Sequence, residues 1–432
     1  MLRAMLAALL ALLFAPLARA EFPETVTIGD KTLECRTVAE IRKLGIDCDD
    51  IPWKDNAARV YIEAMNLYKP ASPELEKFLD PATKTFDFAG ISEEVAKWFD
   101  DNKPVLDLLR QADAMPRCEF PMHRSKLLAG TLLPDLARYQ SFGRLLARKA
   151  AWDFSRGRTQ DAADECFLAL RIGRRLQRGP FLITTLVGVA VEGLGTKVVD
   201  GMVASGKLDE PALKNIADRL AAGVGLADLT RAFQLERASC VEAVDLWSAV
   251  PPDKWKDTVK EMGAFVDGED IGWEVVRRNT KEAYDMLDAL ARKPLGETLR
   301  GEDGLRAFRA KIEKDWDRVT CLLMPASHKA FITFGRRQVA FDAMRIRAAL
   351  ERFKLAKKAY PKALAELVPA FLDAIPTDPF SGKPYGYRVE DDGRFVLWSV
   401  GENLTDDDGE GNPASPWDGF DYVFSSRPPE KR

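Results

Sequence analysis

The most chemically loaded stretch of this 432-residue chain is 402–421, where Glu402, Asp406, Asp407, Asp408, Glu410, Asp418 and Asp421 occur without a lysine or arginine among them. Asn403 and Asn412 add amide oxygens, and Gly401, Gly409, Gly411 and Gly419 free the backbone to turn. Oxygen donors on a pliable loop suit a hard cation, which takes about six to eight of them. The same carboxylates repel one another when no cation is present, so a merely solvated acidic loop is the competing description. The spacing Asp406-x-Asp408-x-Glu410-Gly411 imitates the first half of an EF-hand, but the twelfth position falls on Trp417 and no helices flank it.

Other reactive residue types are sparse. Glu236, Glu242 and Asp245 sit on one candidate helix, with 242 and 245 on a shared face. Paired acids of this kind could serve glycoside hydrolysis, although Arg231 and Arg237 nearby suit ordinary ion pairs better. With only two histidines, His123 and His328, and no Gly-x-Ser-x-Gly, His-Glu-x-x-His or phosphate-cradling glycine loop, no catalytic residue is assigned. Arg171, Arg174, Arg175 and Arg178, with Arg144, Arg148 and Lys149 before them, are interleaved with acids and read as solvated helix faces. A net charge of −4 gives no reason to expect nucleic acid.

The amino end carries Arg3, an apolar run from Ala4 to Leu17 and Ala18-Arg19-Ala20, which is the pattern of a secretory signal peptide over residues 1–20. Cleavage there removes two arginines and takes the formal net charge to −6. The best later apolar run, Ile183 to Val191, is stopped by Glu192, so no membrane span is expected after cleavage and the protein is placed in the periplasm or outside the cell. An oxidising compartment permits disulfides, and of the six cysteines Cys35 and Cys48 are the pair expected to join.

The elements that hold these groups divide the chain into four parts. Residues 21–55 are polar and irregular. From 56 to 328 apolar residues recur at three- and four-residue spacing, giving a helical domain. Its clearest piece is an αα-hairpin: Leu136, Tyr139, Phe142, Leu145, Leu146 and Trp152 mark one helix, Arg156-Gly157-Arg158-Thr159 a turn, and Ala162, Cys166, Ala169, Leu170 and Leu176 the next. It is weakly tetratricopeptide-like, with no second copy at that period. Helices are expected at 181–204, at 210–222 behind an Asp209 cap, at 226–248 and at 269–292. Residues 329–432 form a small α+β domain: a long helix from about 330 to 358, a short helix at 362–368, and a three-stranded antiparallel sheet. Its strands are Tyr385–Val389, Phe395–Trp398 and Asp421–Phe424, the first two joined through Asp391-Asp392-Gly393. The fold class is therefore mainly α with a small α+β tail.

This last part resembles the soluble domain of the major pseudopilins of type II secretion systems. The matching pieces, in order, are the long helix, Ala359–Val368, Asp378–Tyr385, Phe395–Gly401 and an acidic loop ending at Asp421-Tyr422-Val423. The resemblance implies calcium in that loop, with Asp421 and an acid among Asp406 to Asp408 as ligands; Asp406, Asp408, Asp418 and Asp421 form the expected set. The chain departs from the family at its start, because Phe331-Ile332-Thr333 lies in mid-chain and Gly335 stands where a pseudopilin has glutamate. The likeness therefore implies fold more than polymerisation. The helical remainder looks like exported proteins of unknown function.

Together these readings point to a non-enzymatic exported protein of the cell envelope. Its helical domain would meet a protein partner, such as a component of a secretion assembly. The alternative is an exported hydrolase with paired carboxylates in an interdomain cleft. Expressed with its own amino end in a Gram-negative host, the protein should be recovered from the periplasmic fraction beginning at Glu21. An amino terminus at Met1 in the membrane fraction would instead mean an uncleaved anchor, and recovery from the cytoplasm beginning at Met1 would remove the export reading.

Overall fold

The structure is a computed structural model, and it describes residues 23–43, 48–78, 92–124, 136–179, 181–222, 229–251, 272–301, 304–315, 317–324, 327–412, 417 and 420–426. The signal segment lies outside the described residues. The chain begins with a hairpin, β1 (Thr25–Ile28) and β2 (Lys31–Glu34), and a short helix α1 (Val38–Lys43). The hairpin replaces the irregular segment expected at 21–55. Its signal is Gly29-Asp30 between two short alternating runs, with Gly29 at φ 63° supplying the left-handed turn.

A helical body follows. It comprises α2 (Ala57–Leu67), α3 (Pro73–Phe78), α4 (Ser92–Asp101), α5 (Lys103–Ala114), α6 (Leu136–Ser155), α7 (Thr159–Gln177), α8 (Leu182–Ala204), α9 (Glu210–Ala221), α10 (Leu229–Ser248) and α11 (Trp273–Ala291). Three short helices, α12 (Leu295–Arg300), α13 (Leu305–Asp315) and α14 (Arg318–Leu323), lead to the long α15 (Ser327–Lys357). Asp209 caps α9 by accepting from Ala212 N at 3.0 Å, as its position suggests. The expected short helix at 362–368 is a single 3₁₀ turn, Leu364–Leu367, with Glu366 accepting from Lys362 N and Ala363 N.

α6 and α7 fold back on each other around Gly157 (φ 76°), and Asp153 locks the turn. Its carboxylate is fully buried and accepts from Lys149 Nζ and from Arg158 Nε and Nη2, which makes it a paired rather than an orphan charge. α7 and α8 then approach so closely that side chains are excluded. A Cβ on Gly173 or Gly188 would stand under 3 Å from the other glycine's carbonyl oxygen, and one on Gly195 would meet Cys166 O. α8 is the one described helix long and apolar enough to cross a membrane. Here it packs against α6, α7, α10 and α15 as a core helix.

Arg144 and Arg178 are exposed, as expected of solvated faces, but Arg148, Arg171 and Arg175 are clasps between helices. Arg175 Nη1 and Nη2 donate to the carbonyls of Ala112, Asp113 and Met115, satisfying the carboxy end of α5. Arg171 pairs with Asp113 at 2.7 Å. Arg148, 5% exposed, grips both carboxylate oxygens of Glu76 and lies over the Trp98 ring. An arginine stem covers apolar surface while its head finds a carboxylate or carbonyl across the helix boundary, so periodicity alone does not separate a clasp from a solvated face.

The carboxy-terminal sheet has strand order β3-β4-β5, all antiparallel: β3 (Gly386–Val389), β4 (Phe395–Ser399) and β5 (Tyr422–Ser425). Its inner face packs Phe395, Leu397, Tyr422 and Phe424 against Val339, Ile346 and Leu350 of α15. The other faces of α15 belong to the body. Ala330 and Phe331 join Phe233 and Tyr284, while Met344 joins Ala163, Cys166 and Met202. From the body, α12 docks on the tail through Leu295 and Leu299, and Arg300 Nη2 donates to Phe380 O and Ser381 O. α15 is thus a shared wall between the two parts.

Adding a methyl group where two backbones touch should cost about 1–3 kcal/mol. Gly188→Ala is expected to lose that much by denaturant unfolding. Gly193→Ala, on the same helix with open space where its Cβ would go, should be neutral or gain up to about 1 kcal/mol. Equal destabilisation of the two variants would contradict the close approach of α7 and α8.

Candidate functional site

The acidic loop begins where β4 ends. Gly401 (φ 64°), Leu404 (φ 62°), Asp408 (φ 54°) and Gly409 (φ 73°) all take left-handed backbone, so the chain coils tightly between β4 and β5. Gly409 has no room for a side chain larger than hydrogen without strain, with Arg388 and the Trp398 ring beside it.

Asp421 stands just before β5 and is completely buried. Its Oδ2 accepts from Gly409 N at 2.7 Å, and its own N–H donates to Glu410 O at 3.0 Å. The loop is therefore wrapped around this carboxylate. Oδ1 is buried and has no hydrogen-bond partner among the described residues. Burial pushes the Asp421 carboxyl above its ordinary range, the backbone N–H groups of Gly409 and Asp407 oppose this, and the nearby charges of Asp407 and Asp406 add to the rise.

The other acids divide between inward and outward roles. Asp406 Oδ1 accepts from Trp398 Nε1 at 2.9 Å and from Asp408 N at 3.2 Å, and Asp407 Oδ2 accepts from Asn403 Nδ2 at 2.8 Å. Asp408 points its carboxylate into solvent at 94% exposure, while its carbonyl accepts from Arg388 Nη1. Asp418 lies outside the described residues. Of the expected set, Asp406 and Asp421 thus line the same coil and Asp408 turns away. Among the described residues no group of three or more Asp, Glu, His or Cys side chains converges as a metal site.

Positive charge reaches the loop from other elements, which the local sequence did not reveal. Arg388 on β3 lies over Trp398 and approaches Asp408 Oδ1 at 3.8 Å. Arg336 on α15 donates from Nε to Tyr422 Oη at 3.0 Å, sits 3.6 Å from Glu402 and stacks near Trp417. The loop is acidic in sequence but partly compensated in space.

Beneath it, Asp378 organises the tail. Its Oδ1 accepts from Phe380 N and Ser399 Oγ and its Oδ2 from Ser381 N and Val400 N, tying the 378–382 turn to the end of β4. Asp342 on α15 is 2% exposed and accepts from Gln338 Nε2 and Tyr385 Oη, with Arg345 at 3.8 Å. Burial dominates those contacts and raises its carboxyl to about 6.

The remaining candidates occupy structural positions. Glu236 Oε1 accepts from Leu182 N at the start of α8, and Asp245 pairs with Arg277 at 2.5 Å. Of the pair on one face, Glu242 and Asp245, the second is thus already held by a guanidinium, as ordinary ion pairing predicts. The Cys35–Cys48 disulfide is not formed, and no disulfide joins any two of the six cysteines. A β-bridge between Cys35 and His123 places Cys35 Sγ 3.9 Å from His123 Nδ1, and Cys35 packs in one cluster with Val26, Ile28 and Phe120. Cys48 instead packs with Val38, Ile41, Met122 and Leu235. Burial pushes the Cys48 thiol up to about 12, away from reactivity.

Comparison of the chain with protein-family models, with characterised proteins and with solved structures gave no match.

Asp342 yields a pH test. Its native carboxyl holds a proton more tightly than the unfolded chain does, from an ordinary 3.8 to about 6. The stability it contributes is therefore fully present below about pH 4 and lost as the pH rises through 6, a difference of about 3 kcal/mol. Asp342→Asn keeps an acceptor for Tyr385 and removes the titration. Melting curves of wild type and variant should coincide near pH 4 and separate by pH 7, with the variant more stable.

Proposed function

We propose that the protein is an exported, non-enzymatic component of the cell envelope. Its helical body, with a weakly tetratricopeptide-like hairpin at α6–α7, presents an interaction surface to a protein partner. The pseudopilin-like tail carries a calcium-responsive loop at 400–421. The signal pattern at 1–20 supports export, and the five ordered pieces of the tail support the pseudopilin likeness. Fusion of α15 to the body supports a fixed bearing rather than a polymerising subunit.

The observation that carries the metal part is the buried Oδ1 of Asp421, an acceptor with no partner among the described residues in a coil of left-handed turns. A desolvated carboxylate oxygen of this kind is what a hard cation satisfies. Asp421 would be the inner ligand, Asp406 or Asp407 would complete the carboxylates from the same coil, and backbone carbonyls would supply further oxygens. Calcium would there neutralise the like charges that raise the Asp421 carboxyl.

The full-length mature chain should melt higher in calcium than in chelator, by an amount equivalent to about 2.7 kcal/mol when calcium is a hundredfold over its dissociation constant. Asp421→Asn should lose the response, and magnesium, which demands a tighter octahedral shell, should reproduce little of it. Superimposable wild-type curves with calcium and with chelator would overturn calcium as the loop's ligand.

A further inference from the structure

A second site lies beside α15, between α9 of the helical body and the 369–373 segment of the tail. Lys214 and Asp218 of α9, Arg345 and Arg352 of α15, and Phe371 and Asp373 of the segment after the 3₁₀ turn line a cleft of about 180 Å³. That volume is below the roughly 300–1,000 Å³ of drug-sized sites, so it fits a single charged group on a compact carrier.

Its chemistry is set by the two arginines. Arg352 is 11% exposed, lies over the Phe371 ring, and reaches Glu210 Oε1 only through two long contacts of 3.3 Å. Arg345 is 24% exposed, and its single charged neighbour among the described residues is Asp342 at 3.8 Å, too far for a hydrogen bond. Asp342 itself accepts from Gln338 Nε2 and Tyr385 Oη. A half-buried guanidinium presents five donors in a fixed fork. The Arg345 fork is left for a group that enters the cleft, with Lys214 at the mouth shared between Asp218 and solvent. The two acids on the rim, Asp218 and Asp373, favour a compact anion over an extended acidic one.

We propose that this cleft binds a small oxyanion, a phosphate or carboxylate group on a compact ligand, held by Arg345 and Arg352. Because α9 belongs to the body and the 369–373 segment to the tail, such a ligand bridges the two parts. Guanidinium groups match both oxyanions in bidentate fashion, so the two sources share one chemistry.

The test is calorimetric titration of the full mature chain with inorganic phosphate and, separately, with acetate and citrate, at fixed ionic strength and with chloride as the control. Saturable binding of phosphate alone assigns a phosphate carrier, and saturable binding of the carboxylates alone assigns a carboxylate carrier. Arg345→Gln should weaken either by about tenfold or more, the worth of a charge-assisted hydrogen bond, while its ligand-free melting curve stays at the wild-type position. Lys214→Gln provides a second variant on the body side and should weaken binding by a smaller factor. Absence of saturable binding for every probe would overturn the site, as would equal affinity in wild type and Arg345→Gln.

Discussion

Glu192 is a carboxylate in the middle of the most apolar helix of the protein, 4% exposed and held on three sides. Arg337 of α15 grips it with Nε and with Nη2, the latter at 2.8 Å from Oε1. Gln177 of α7 donates at 2.6 Å, and Arg174 stands 3.9 Å away. Removing one partner from a buried pair strands the other charge at a cost of several kcal/mol, so the contact fixes where α15 can lie on α8. It depends in turn on the glycine contact below it. Gln177 reaches Glu192 because Gly173 and Gly188 let α7 and α8 touch along their backbones. Burial, with the nearby Arg337 charge, lowers Arg174 to about 10 against the attraction of Glu192.

From that anchor the rest of the tail is positioned by one helix. α15 runs from the Glu192 contact to a further clasp, Arg347 with Asp200, and to the longer contact of Arg352 with Glu210 at 3.3 Å. Its other stripe supports the sheet. Arg336, one residue before the anchor, reaches Tyr422 and Glu402 on the loop side. A change in the acidic loop therefore acts on a residue adjacent to the one that locks the tail to the body. The loop, the sheet and the body are connected through consecutive arginines on a rigid element, a shorter path than an interdomain linker would provide.

Much of this architecture was legible in the sequence because it depends on local rules. The 3.6-residue periodicity located α6 to α11 within a few residues, Asp209 announced its cap, and Asp391-Asp392-Gly393 announced the turn between β3 and β4. What was not legible depends on pairing across long separations. Arg175 and Arg148 look like solvated positions until α5 and α3 are laid beside them, and Glu192 looks like a terminator of an apolar run until Arg337, 145 residues away, is placed over it. The Cys35–Cys48 expectation failed for the same reason. Nearness in sequence said nothing about the bridge to His123, 88 residues on, that directs Cys35 into a different cluster. In the acidic loop the residue types were readable, but not the division of labour. Burial selected Asp421 as the centre of the coil and left Asp408 outside.

That division bears on how the loop can bind anything. A chain of like charges with no internal partner would spread apart, yet this one is coiled, with the Gly409 N–H aimed at Asp421 and Arg388 drawing the Asp408 carbonyl toward β3. The backbone donor and the guanidinium already supply part of the positive field that a cation would bring. A cation entering the coil therefore gains chiefly from the one oxygen these donors leave unmet, Asp421 Oδ1, and from relieving Asp406 and Asp407. Where the chain's own donors hold the coil, a cation would find little ordering entropy left to spend on binding. Metal affinity in such a loop is set less by how many acids it contains than by how many of them the fold has left without hydrogen bonds.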